Sequence, residues 1–334
     1  MRNVRLIDTT LRDGSHAINH HYSPENVAEI CRGLEASGVY AAEVGHGAGI
    51  SGSIINQGLL KYPEKELFAA ARANLKNTKL ATLFCPGLAV TDDLYRARDE
   101  YGVEVVRFAL HCTEVDVAET YIMKAHEMGF QCIGFMMMAH MISPEDIQVQ
   151  AKLLADYGSD VIYIADSAGT MTPQDVRDRI QAIKAAVDVP VGIHGHNNLG
   201  LAVGNEIAAV EAGADYLDGT LEGFGAGSGN ANIAALASAL RKMGIDTGAD
   251  MYKLLDAGKA VRSVMTKPVE VNDESIVVGD VGLYSSFYQH VTEECAKYQL
   301  NPYDVIQELA RRKCIGGQED VIVEIVHKMA NRII

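Results

Sequence analysis

Eight short β-rich runs, each followed by a longer amphipathic run, occupy the first two-thirds of this 334-residue chain. They fall at residues 4–8, 41–45, 79–84, 104–110, 131–138, 161–165, 189–194 and 216–220. Strands spaced by helical stretches in this way dictate crossover connections and a parallel sheet. Several runs are almost continuously apolar, as strands become when helices cover such a sheet. The helix starts are clearly marked. Ser23-Pro24, Ser143-Pro144 and Thr172-Pro173 each set a capping hydroxyl before a proline at the first helical position. Thr113 and Thr172 are each followed, three residues on, by an aspartate, as at a helix start. Gly38, Gly129, Gly158 and Gly213 stand where helices should end. Eight βα units in about 240 residues predict an α/β fold of the (β/α)8 TIM-barrel type. A doubly wound sheet would normally need fewer strands, and no glycine-rich phosphate loop follows the first strand.

Beyond about residue 248 the alternation stops. Residues 251–264, 285–299, 303–312 and 318–331 read as helices, with 266–281 as an irregular link. The expected organisation is a barrel domain over residues 1–248 and a helical C-terminal domain over 249–334. No apolar run approaches the ~18 residues that a membrane span needs. Met1-Arg2-Asn3 leads into a strand at once, which predicts no signal peptide. The 44 acidic residues outnumber 29 basic ones, for a net charge of −15, and no long basic run occurs. That balance argues against non-specific nucleic-acid binding, which requires phosphate neutralisation. Cys31, Cys85, Cys112, Cys132, Cys295 and Cys314 form no CxxC pair. Their scatter suggests reduced, mostly buried thiols and a cytoplasmic setting.

Function in such a barrel gathers at the C-terminal ends of the strands. There the chain places Arg12-Asp13-Gly14-Ser15-His16 after strand one and His194-Gly195-His196 after strand seven. In an extended strand, residues two apart point to the same side, so both imidazoles can face one ion. The alternative is a solvent-facing pair, or one core and one exposed histidine. Asp13 can complete a set of two nitrogens and one oxygen, with positions left open for substrate. Such a set suits Mn²⁺, Mg²⁺, Co²⁺ or Zn²⁺. A turn role before Gly14 is the competing use of Asp13. Arg12 can stabilise enolate charge, or be spent on an ion pair with Asp8 or Glu43. His16 titrates near neutrality and can act as acid or base. His20 and His21 are further candidates, and at least one is expected in a solvated loop. Ser167 can bond a substrate carboxylate or close a turn with Ala168-Gly169. His46 and His111 suit supporting or core roles equally, and the Met136–Met138 run is expected in the barrel core. The loop Gly223–Asn230 can wrap a ligand closely. No lysine sits at the C-terminal end of a strand, and Lys79 lies at the opposite end. A Schiff-base aldolase needs such a lysine, so metal chemistry is favoured.

Asp8-Thr-Thr-Leu-Arg-Asp-Gly14, His194-Gly-His196 and Gly229-Asn230 resemble the HMG-CoA-lyase-like family of metal-dependent TIM barrels that make or break carbon–carbon bonds. Within that family, Leu11–Ala17, Glu43–Gly47, His111–Glu114, Ala165–Ser167, Tyr284–Phe287 and residues 316–320 are similar to 4-hydroxy-2-oxovalerate aldolases. The likeness runs from about residue 4 to residue 325. It implies a divalent ion, usually Mn²⁺ with Mg²⁺ or Co²⁺ as substitutes, on Asp13, His194 and His196, with Asn230 a weaker contact. It implies cleavage of a 4-hydroxy-2-oxo acid such as 4-hydroxy-2-oxopentanoate to an aldehyde and a pyruvate enolate. His16 would take the C4 hydroxyl proton, and Arg12 would hold enolate charge. Tyr284 would orient substrate or relay a proton, which gives the extension a catalytic role. The likeness also implies assembly with an acylating acetaldehyde dehydrogenase that receives the aldehyde through a tunnel. Many members carry Gln in place of His16, so the rival reading, an acyl-CoA condensing synthase of the isopropylmalate or citramalate type, is disfavoured. A non-catalytic barrel that supports a dehydrogenase is a third reading. Ala48, Phe84-Cys85 and Asn232 depart from the common pattern, where Asp, aliphatic residues and Pro are frequent. The departures near strand ends two and three bear on which aldehyde fits.

Overall fold

The computed structural model describes residues 3–266, 268–284, 287–315 and 317–331. Among these residues, eight parallel strands close into a barrel in chain order. They are β1 Arg5–Leu11, β2 Ala41–Val44, β3 Lys79–Phe84, β4 Val105–His111, β5 Gln131–Met137, β6 Val161–Asp166, β7 Val191–Gly195 and β8 Tyr216–Gly219. The expected TIM barrel is therefore the fold. Strand β1 runs past the apolar stretch through Thr9-Thr10-Leu11, where Asp8 and Thr10 bond to each other. The Asp8 carboxylate accepts the Thr10 amide and hydroxyl, each at 2.9 Å.

Eight helices cover the sheet: α1 Pro24–Ser37, α2 Glu64–Asn74, α3 Thr91–Asp99, α4 Glu119–Glu127, α5 Pro144–Asp156, α6 Pro173–Ala186, α7 Ala202–Ala212 and α8 Ile233–Lys242. Ser23, Ser143 and Thr172 cap α1, α5 and α6, with the amides of Asn26, Asp146 and Asp175 as donors. Thr113 caps no helix, since a 3₁₀ turn over Val115–Ala118 intervenes before α4. Its hydroxyl instead meets His111 Nδ1 at 2.8 Å. Side chains alternate along each strand, as the pleat requires. Leu6, Phe84, Phe108, Ile164 and Ile193 join the core beneath the helices. Ile7, Ala81, Val105, Ile133, Phe135 and Tyr163 fill the barrel interior. Gly192 is needed there, because a Cβ on it would stand 2.3 Å from the Tyr163 ring.

Past the barrel come α9 Met251–Val264, α10 Asp273–Val281, α11 Phe287–Tyr298, α12 Pro302–Arg311 and α13 Asp320–Ala330. The buried face of α9, Leu254, Ala257, Ala260 and Val261, joins the same outer core as the barrel helices. Its close approach to α1 depends on Gly33, where a Cβ would lie 2.5 Å from Ala257 Cβ. Helices α10 to α13 form a core of their own around Phe287, Val291, Ile306, Leu309 and Ile325. That unit sits over the barrel mouth. His140, after β5, meets the Gly282 carbonyl at 3.1 Å, and Ser275 reaches the Asn198 carbonyl. Ser285, Ser286 and Gly316 of the two expected extension motifs lie outside the described residues. Among the described residues, no helix is long and apolar enough to cross a membrane.

Candidate active site

Arg12, Asp13, His16, Ser167, His194, His196 and Tyr284 all line one cavity of about 410 Å³ at the C-terminal mouth of the barrel. The end of β1 is shaped for this. After Leu11 the chain folds into a 3₁₀ turn over Asp13–Ile18, which turns Arg12 and Asp13 inward while His16 sits above them.

The carboxylate and two imidazoles converge. One ligand atom each of Asp13, His194 and His196 lies within 4.8 Å of the others. Asp13 Oδ2 stands 3.9 Å from both Nε2 atoms. Its other oxygen accepts Arg12 Nη1 at 2.9 Å, but the buried Oδ2 has no hydrogen-bond partner. His194 Nδ1 meets Asp218 Oδ2 at 2.8 Å, which turns Nε2 toward Asp13. Burial pushes the Asp13 carboxyl up, yet Arg12 and the imidazoles outweigh it and hold it well below the usual range. Burial brings the His196 imidazole down to about 4 against the pull of Asp13, so it is neutral at pH 7. Asn230 Nδ2 lies 3.1 Å from His194 Nε2, and its buried Oδ1 has no partner. A Cβ on Gly225 would fall 1.7 Å from Asn230 Oδ1 and 3.0 Å from Asp13 Oδ2, so the glycine-rich loop leaves both oxygens uncovered. An orphaned carboxylate oxygen facing two imidazoles is a donor set that fits a divalent ion. The buried charges agree. Arg12 and Arg107 face Asp13, Glu43 and Asp218, which leaves negative charge in excess.

The expected alternatives for Arg12 prove compatible. Its Nε pairs with Glu43 at 2.7 Å and Nη1 with Asp13, while Nη2 stays buried without a partner. A guanidinium held on two sides with a third donor open is ready for an oxyanion. His16 is brought below its usual pKa by burial and Arg12, against Asp13, which keeps it in the basic form. Its Nε2 lies so near Gly47 that a Cβ there would be 2.3 Å away. The Tyr284 hydroxyl donates to Met137 Sδ at 3.3 Å, and burial pushes its pKa up, so it is neutral. The Ser167 hydroxyl accepts the Met138 amide at 3.0 Å.

Other candidates separate. His20 is buried, with Ser15 Oγ at 2.9 Å and the Gln57 carbonyl at 3.1 Å, whereas His21 is exposed. His46 stacks on His20 and meets the Gly58 carbonyl, so both serve the loop that carries Gly47. His111 lines the cavity. Met136 is core as expected, but Met137 and the buried Met138 are walls of the site. Sequence reasoning passed over Arg107 and Asp218. Both are charged residues at inward positions of otherwise apolar strands, a pattern that was open to reading.

Residues 3–261 match the HMGL-like family, and residues 269–331 match the DmpG-like communication domain. A protein of Carboxydothermus hydrogenoformans named 4-hydroxy-2-oxovalerate aldolase is 47% identical over 98% of each chain. One of Moorella thermoacetica with the same name is 46% identical over 99% of this chain and 98% of its own. The carboxyl transferase domain of Rhizobium etli pyruvate carboxylase, solved with pyruvate and biocytin, shares the fold. It superimposes with a TM-score of 0.84 at 17% identity, over 99% of this chain and 61% of that one. With relatives matched along nearly its whole length, the chain belongs to the HMGL-like family and, within it, to the 4-hydroxy-2-oxovalerate aldolases.

Proposed function

We propose that this protein is a divalent-metal-dependent class II aldolase that cleaves 4-hydroxy-2-oxopentanoate, or a close 4-hydroxy-2-oxo acid, to pyruvate and an aldehyde. The observation that carries this reading is the unpartnered Asp13 Oδ2, set between two imidazoles and beside the open Nη2 of Arg12. Asp13, His194 and His196 would hold the ion, with Asn230 a weaker contact, and Mn²⁺ would be the first choice, with Mg²⁺ or Co²⁺ as substitutes. Bound there, the ion supplies Lewis-acid polarisation of the 2-oxo acid.

The side chains do the rest. His16, kept neutral, takes the proton of the C4 hydroxyl. The C3–C4 bond then breaks, its electron pair passes toward C2 and its oxygen, and the aldehyde leaves. Arg12 Nη2 donates to the oxygen on which charge develops, and Glu43 holds that guanidinium in place. Ser167 binds the substrate carboxylate. Tyr284, a neutral donor at the cavity wall, orients the substrate or relays the proton that C3 needs to become pyruvate. Leu83, Ala109, Phe135 and Met137 add apolar wall that limits water access.

The partner reading follows from the second family match. An acylating acetaldehyde dehydrogenase would take the aldehyde, and the likeness to a communication domain supports assembly with it. Tyr284, Ile315, Gly317 and Glu319 of the extension line the same cavity, so the aldehyde would form beside the extension. The test is a panel of 4-hydroxy-2-oxo acids of rising chain length, read by pyruvate and aldehyde release. Equal amounts of both products are expected. CoA release from acetyl-CoA and a 2-oxo acid, with no pyruvate from any panel member, would instead make the chain a condensing synthase.

A further inference from the structure

Arg107, on β4, has no solvent exposure at all. A buried guanidinium is costly unless its charge is met, and here two carboxylates meet it through Nη1 and Nη2, while the buried Nε has no hydrogen-bond partner. Nη1 donates to Glu43 Oε2 at 3.2 Å, and Nη2 donates to Asp218 Oδ2. Each of those oxygens takes a second hydrogen bond from the site. Glu43 Oε2 receives Arg12 Nε at 2.7 Å, and Asp218 Oδ2 faces His194 Nδ1 at 2.8 Å. The Phe135 and Tyr163 rings lie against the guanidinium, their centres 4.6 and 4.7 Å from Cζ. Phe135 also meets the His194 ring, at 5.5 Å.

We infer that Arg107 is a positioning residue that sets both the Arg12 guanidinium and the His194 ring, through Glu43 and Asp218, so that the two halves of the site share one buried support. This rests on the metal reading of Asp13, His194 and His196. The physical reason is a pair of shared oxygens. Asp218 selects the His194 tautomer that carries the proton on Nδ1 and leaves the Nε2 lone pair toward Asp13. Glu43 fixes the plane of Arg12, so the open Nη2 points into the cavity. Without Arg107, Glu43 Oε2 and Asp218 Oδ2 each lose the hydrogen bond that sets their orientation. A rotated Asp218 no longer selects the tautomer, and a rotated Glu43 no longer holds Arg12. Lysine cannot take over, because a single ammonium on a flexible stem does not fork to two carboxylates as a planar guanidinium does.

The test uses the full chain and reads binding rather than turnover. Mn²⁺ affinity is measured by the EPR signal of the free ion. Oxalate, a planar mimic of the pyruvate enolate, is then titrated at saturating Mn²⁺. Arg107→Met should weaken Mn²⁺ about 10–100-fold, the usual effect of losing an outer support, and should also weaken oxalate about tenfold. Asp218→Asn should weaken Mn²⁺, and Glu43→Gln should weaken oxalate while Mn²⁺ affinity stays within about twofold. Arg107→Met combined with Asp218→Asn should bind Mn²⁺ no worse than Arg107→Met alone, since both cut one path. Arg107→Lys keeps the buried charge and carries the test if the methionine variant does not fold. It should weaken both ligands by a smaller factor. Wild-type Mn²⁺ affinity in the Arg107 variants, together with loss in Asp13→Ala, overturns the positioning role alone. Wild-type affinity in Asp13→Ala overturns the metal reading and this inference with it.

Discussion

His16 differs from a surface histidine in what surrounds it. Burial and the neighbouring guanidinium of Arg12 lower its pKa, so it remains a base at pH values where a free imidazole near 6.5 is protonated. The acid limb of kcat/KM is therefore expected below pH 6.5, falling as pH drops through the lowered value. A limb at or above 6.5 would remove His16 as the base. His16→Ala should cost ~10²–10⁴-fold in cleavage with Mn²⁺ binding unchanged, because His16 does not belong to the triad that faces the ion. Arg12→Lys should lower kcat by ~10²–10³-fold. The lysine keeps a positive charge but loses the fork that pairs with Glu43 and Asp13 and still offers a third donor. A loss under tenfold would show that charge alone suffices.

At the scale of elements, glycines decide how closely parts meet. Gly47 lets the loop after β2 lie on the His16 ring. Gly47→Ala should displace that ring and cost ~10²-fold in kcat while thermal stability changes little, since the atom met is the end of a side chain. Gly33→Ala should act in reverse. Its Cβ would meet the Ala257 Cβ and backbone, so α1 and α9 must part, at a cost of ~1–3 kcal/mol read as a fall in Tm with kcat kept. Much of this level was legible. Capping serines and prolines mark α1 and α5 because the cap is a local interaction. The strands emerged from apolar runs, and the histidine pair, Asp13 and Arg12 from their places at strand ends. The Thr113 cap failed because a 3₁₀ turn intervenes before α4 and the Thr113 hydroxyl meets His111 instead, neither of which spacing reveals. Arg107 and Asp218 were visible as charges on apolar strands, but what they do was not. Their roles arise only when β4 and β8 face each other across the barrel, a relation between residues 111 apart.

For the molecule as a whole, one of the polar contacts that tie the extension to the barrel titrates. His140, brought down to about 4 chiefly by burial, meets the Gly282 carbonyl two residues before Tyr284. A histidine whose folded pKa lies below its unfolded value binds its proton more readily when unfolded. Its share of stability is whole above pH 6.5 and is lost as pH falls from 6.5 toward 4. His140→Gln, whose amide can still donate to that carbonyl, should gain stability relative to the wild type by ~2 kcal/mol between pH 7 and pH 5. Urea midpoints across that range read the difference, and parallel curves would contradict it. Barrel and extension also share the cavity, so the aldehyde forms under the part of the chain that resembles a communication domain. The central claim is that cleavage depends on an ion held by Asp13, His194 and His196. It is tested most directly by stripping the protein with chelator and titrating Mn²⁺ back while pyruvate release from 4-hydroxy-2-oxopentanoate is followed. The account predicts no release from stripped protein, full recovery at one Mn²⁺ per chain, and no recovery in Asp13→Ala. Cleavage that survives chelation, or that recovers in Asp13→Ala, would contradict it.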